Sequence, residues 1–110
     1  MSKQKKEIMR RITSLGNSYR VETFDLSEEL HDVVVNKMVR KHRFNVGGYR
    51  LDSTDGEMAN VWIADAHSEG NEEYAEFLRE ALASGADLYT LKDTMGGFDQ
   101  EIGEVAVYDC

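Results

Sequence analysis

Apolar residues recur along this chain in two rhythms, one near every third or fourth position and one at every second, and these assign most of its elements. Ile8, Ile12 and Leu15, with Met9 beside them and Gly16-Asn17 behind, fall at helical spacing and predict a short amphipathic helix over 3–15. Residues 18–24 alternate Tyr19, Val21 and Thr23 against Arg20 and Glu22, as a strand does. Asp25 and Glu28 then stand as a capping-box pair ahead of an apolar stripe through Leu30, Val34 and Met38, which predicts a second helix with Asp25 as its cap. It ends in the basic cluster Lys37, Arg40, Lys41, His42 and Arg43, where cations complement the helix dipole.

Residues 44–66 read as a hairpin folded about Asp55-Gly56, with Val61, Trp62 and Ile63 in its second strand. Two registers fit, one pairing Tyr49 with Trp62 and the other Leu51 with Met58. Gly47-Gly48 interrupts the first strand and predicts a bulge or a close backbone approach. Residues 68–71 form a loop and N-cap, after which Tyr74, Phe77, Leu78, Ala81 and Leu82 mark a helix that stops at Gly85. Strands follow over 86–91 and 102–108, on either side of a Gly-rich loop at 94–97. In the last strand Val105 and Val107 face one way and Ala106 and Tyr108 the other.

The order αβαββαββ predicts a single α+β domain over 1–110, with a mixed, mostly antiparallel sheet of about five strands and helices packed on one face. Residues 1–16 would be a basic N-terminal helix, loosely attached.

Charge changes this picture most. Residues 1–50 carry a net +5 and residues 51–110 a net −13, which together make the formal −8 of the 110-residue chain. The content of 41% hydrophobic residues excludes a wholly disordered chain despite 31% charged ones. No apolar run reaches the length of a membrane span or a signal peptide. The single cysteine, Cys110, allows no internal disulfide, so a reducing, cytoplasmic setting is expected. Proline is absent, and no slow prolyl phase is expected in folding.

Candidate chemistry is sparse. Asp65, His67 and Glu69 alternate, and on an extended strand all three would point to one side, in the manner of a metal site or of a catalytic base His67 oriented by Asp65, although a solvated strand end explains them as well. Neither glycine pair has a phosphate-loop spacing, Cys110 lacks a setting that would favour its thiolate, and no cofactor or metal is implied. The acidic set Asp52, Asp55, Glu57, Glu69, Glu72, Glu73, Glu76 and Glu80 suits docking on a basic protein surface in imitation of a phosphate backbone, and a wider acidic run continues through Glu101 and Glu104. The leading expectation is a small acidic, non-enzymatic binding protein, with a virus as a candidate source, that inhibits or regulates a nucleic-acid-binding or nucleic-acid-cleaving partner. Its first alternative is a nucleic-acid binder using Lys37, Arg40, Lys41, Arg43 and Arg50 with the N-terminal helix. The second is an enzyme built on the Asp65/His67 pair.

Overall fold

The computed structural model describes residues 10–16 and 19–109. It is an α+β fold whose six strands, β1 (Arg10–Leu15), β2 (Tyr19–Phe24), β3 (Asn45–Val46), β4 (Tyr49–Thr54), β5 (Asp87–Asp93) and β6 (Gln100–Asp109), form one sheet in the order β1-β2-β6-β5-β4-β3. Every pairing is antiparallel. The helices are α1 (Glu28–Val33), continued by a π-helical stretch Val34–Val39, then α2 (Gly56–Ser68) and α3 (Glu72–Ala83).

Residues 10–15 are a strand where the spacing of Ile12 and Leu15 suggested a helix. The alternation of Arg11, Thr13 and Leu15 pairs in register with β2, Thr13 opposite Val21 and Leu15 opposite Tyr19. Residues 3–9 of the expected N-terminal helix, and Cys110, lie outside the described residues.

Residues 44–66 also depart from the expected hairpin about Asp55-Gly56. Their hairpin turns at Gly47-Gly48, both at positive φ (53° and 89°), so that Val46 pairs with Tyr49 across a two-residue turn only glycine-like residues fit easily. Asp55-Gly56 starts a helix instead. The Asp55 carboxylate accepts the Met58 N–H at 2.8 Å as an N-cap, and Ala59, Trp62, Ile63 and Ala66 then recur at helical spacing toward the core. Likewise α1 is capped by Ser27, whose Oγ accepts from the Leu30 N–H, whereas Asp25 lies in a turn at φ 70°.

Helices cover both faces of the sheet rather than one. Along β6, Val105 and Val107 join Leu26, Val34, Val35 and Met38 in one core, while Ala106 and Tyr108 on the opposite face join Phe77, Leu78 and Ala81 in the other. The sheet's alternation thus feeds α1 with its π-helical continuation on one side and the α2–α3 pair on the other. Buried His31 ties the first layer down, one ring nitrogen 2.7 Å from Thr13 Oγ1 and the other 2.8 Å from Thr23 Oγ1. On the second face Glu22 is buried between Arg10 at 3.0 Å and Arg20 at 3.1 Å, and Arg10 also reaches Glu80.

Candidate binding groove

A break in one strand sets up the groove on the α2–α3 face. Opposite β5, Glu104 pairs with Thr90 and Gly103 with Leu91, but Lys92 pairs with Glu101, so the register slips by one residue at Ile102. In an unbroken strand two residues three apart point to opposite faces. The bulge removes that half-turn of alternation: Ile102 packs toward the α1 core, and Glu101 and Glu104 both open onto the α2–α3 face. Gly103 makes it possible, because a Cβ there would come within 2.6 Å of the Phe24 carbonyl oxygen and 2.8 Å of Leu26 Cδ2.

Three adjoining depressions of about 210, 250 and 300 Å³ run from the end of β2, past the bulge, to the start of α2. The first two share Asn71, Tyr74, Glu101 and Glu104. Trp62 and Glu101 join the second to the third. Helix α2 supplies Met58, Trp62 and Asp65, and its C-cap supplies Glu69; they follow one another at intervals of three or four residues and so share a face. The start of α3 brings Tyr74 against the sheet.

The groove is acidic. Among the described residues seven carboxylates line it, those of Asp25, Asp52, Asp55, Asp65, Glu69, Glu101 and Glu104, against one lysine, Lys92. That lysine is engaged, with Nζ 3.0 Å from Asp52 Oδ2, and Arg50 Nε donates to Asp52 Oδ1 at 2.7 Å. The two cations hold Asp52 down at about 2, below the usual carboxylate range. Glu104 behaves in the opposite way. Only 7% exposed, it is pushed up to about 7 by burial, although the hydroxyls of Thr90 and Tyr74 pull the other way. Burial and the Glu104 carboxylate raise Tyr74 in turn.

The acidic set read from the sequence divides here. Asp52, Asp55 and Glu69 line the groove. Glu57, Glu72, Glu73, Glu76 and Glu80 stand exposed on α2 and α3, where Glu72 meets His67 and Arg79 and Glu80 meets Arg10. Sequence reasoning missed Trp62 and Tyr74 as groove walls and left Glu101 and Glu104 outside the docking set. The i, i+3, i+7 run of Trp62, Asp65 and Glu69 was the available signal for α2's share. Asp65 and His67 lie on a helix, where residues two apart diverge, rather than on the expected strand, so Asp65 turns to the groove while His67 turns outward to Glu72. No group of three or more His, Cys, Asp or Glu side chains among the described residues is placed to hold a metal ion, and no described helix is long and apolar enough to cross a membrane.

On the opposite face Lys37, Arg40, Lys41 and Arg43 are all exposed at and beyond the end of the π-helical stretch, which closes with Arg40 N–H to Val35 O at 3.0 Å. Among the described residues none of the four meets a carboxylate; Arg40 Nε donates to Asn36 Oδ1. Arg50 leaves this set, because Asp52 and Asp99 hold it on β4. No protein-family model, no curated protein and no solved structure matches the chain, so the functional reading rests on the chemistry of the groove itself.

Proposed function

We propose that this chain is a non-enzymatic binding protein that receives a basic segment of a protein partner, bearing lysine or arginine, in the groove between α2–α3 and the sheet. The observation that carries the reading is that, among the described residues, seven carboxylates face one lysine along adjoining depressions that also offer Trp62 and Tyr74. Basic segments of this kind are what proteins present to phosphate backbones, so filling the groove with one would block or regulate a nucleic-acid-binding or nucleic-acid-cleaving partner.

Net charge alone attracts basic peptides, so the test has to separate the groove from the charge. A labelled arginine- and lysine-rich peptide is titrated at low salt against the parent chain, against Asp65→Asn with Glu69→Gln in the groove, and against Glu73→Gln with Glu76→Gln on the outside of α3. The two double variants carry the same charge change. Loss of about tenfold in affinity for the groove variant alone supports the reading. Equal losses, or no binding by the parent that salt can screen, would end it.

One observation favours a second reading on the other face. Four cations without a carboxylate partner among the described residues suit phosphate contacts, and a gel shift at ~50 mM salt decides whether nucleic acid is retained there. Retention that survives replacing Arg40, Lys41 and Arg43 by alanine excludes this cluster as its cause.

A further inference from the structure

A ring of acidic side chains does not by itself make a site. What the groove adds is a carboxylate more than nine-tenths buried, at 7% exposure, that opens into two of its cavities. Its oxygens receive hydroxyls, Thr90 Oγ1 lying 3.2 and 3.4 Å away, and among the described residues no lysine or arginine reaches it. A buried carboxylate without a counter-charge is costly to ionise, and a ligand that supplies the missing cation recovers that cost. The cavity of about 250 Å³ in which Glu104 meets Glu101 is also walled by Trp62 and Tyr74. Aromatic faces beside paired carboxylates favour a flat, weakly hydrated cation with forked donors, which describes a guanidinium better than an ammonium.

Resting on the groove reading above, we propose that the bulged end of β6 is a seat for one arginine side chain of the incoming segment, its guanidinium forked onto Glu104, with Glu101 at the rim and Trp62 and Tyr74 as walls. Seating has a proton balance. Glu104, pushed up to about 7, holds a proton below neutrality; when the guanidinium N–H groups take that place, the proton leaves to solvent and the carboxylate keeps both electrons of the broken O–H bond. Affinity for arginine therefore strengthens as pH rises toward about 7 and levels off above it. Among the described residues the charged and titratable groups that share the cavities with Glu104 are Asp25 after β2, Glu101 from β6, Asp65 from α2, Glu69 at the α2 C-cap and Tyr74 from α3. Replacing Glu104 alone leaves all five in place.

Trp62, the chain's single tryptophan, lies in the cavity wall and reports occupancy by its fluorescence. Two basic peptides are titrated, identical except that one central arginine is replaced by citrulline, which keeps the shape and loses the charge. Calorimetry in two buffers of different ionisation enthalpy counts protons. For the parent chain the arginine peptide should bind about tenfold more tightly than its citrulline twin, release close to one proton per peptide below neutrality, and weaken by up to about tenfold per pH unit on acidification. Glu104→Gln should abolish both the preference and the proton release while the outer carboxylates still hold the peptide. Glu101→Gln, at the exposed rim, should weaken binding but keep the proton release, which also guards against a folding defect in the first variant. Equal preference and equal proton release in parent and Glu104→Gln would overturn the seat while leaving the groove standing. Failure of the parent to bind either peptide would overturn both.

Discussion

On the α2–α3 face of the sheet the carboxylates converge on a groove whose floor is a buried glutamate, while on the α1 face Lys37, Arg40, Lys41 and Arg43 stand exposed at and beyond the end of the π-helical stretch. The first arrangement is bound up with folding, because Glu104, Gly103 and the bulge belong to a central strand of the sheet. The second is an addition to a helix end and could be changed with little effect on the core. The two faces also bury titratable groups of opposite habit: on one, Glu104 is held toward its protonated form, and on the other burial lowers His31 and favours its neutral form. A site built into the fold reports on stability when altered, and a surface cluster does not.

The sharpest way to break this contrast is the pH dependence of stability in Glu104→Gln. Between the ordinary glutamate value of 4.5 and about 7, the folded chain holds a proton at Glu104 that the unfolded chain has released, so stability falls as pH rises through that window. The loss amounts to about 3 kcal/mol for one such group. The variant should match the parent near the acid end and exceed it by up to that amount at pH 8 in urea melts. Parallel profiles for the two proteins would mean that Glu104 ionises freely.

Next in size is Gly103→Ala, whose added Cβ meets the Phe24 backbone and Leu26; about 1–3 kcal/mol should be lost, read as a lower urea midpoint at unchanged slope. An unaffected midpoint would show that the bulge can relax.

On the α1 face Thr23→Val removes a fully buried hydroxyl from His31 and should cost about 1–2 kcal/mol. Because His31 is lowered from 6.5, its own contribution runs opposite to that of Glu104: stability present at neutral pH is lost as pH falls below 6.5 toward the folded value. Replacing His31 by Gln should therefore remove the acid-side loss and make the Glu104 slope steeper.

The smallest effect belongs to the basic cluster. Alanine at Arg40, Lys41 or Arg43 should leave stability within about 0.5 kcal/mol of the parent. A larger loss from any one of them would show that the cluster, too, is part of the fold.

Local pattern determined a good deal of this protein. The helix through Phe77 and Leu78, the strand in which Val105 and Val107 oppose Ala106 and Tyr108, the α+β class and the acidity of the second half all follow from neighbouring residues, because periodicity and charge are properties of short stretches. Where a stretch supported two local readings, only its partners chose between them. Asp55-Gly56 suits a hairpin turn and an N-cap equally, and the cap prevailed because Ala59, Trp62, Ile63 and Ala66 find a sheet face to cover. Residues 10–15 became a strand because β2 had an edge to offer. The groove was least legible of all. Glu101 and Glu104 sit at a spacing that an ideal strand sends to opposite faces, and they converge only because β5 pairs across a bulge that lets Gly103 lie against Phe24 and Leu26. The burial that drives up Glu104, and the approach of Trp62 from one helix and Tyr74 from another, are sums over residues distant in sequence. Sequence supplied the charge of this protein; where that charge is buried, and beside which ring, was decided by tertiary packing.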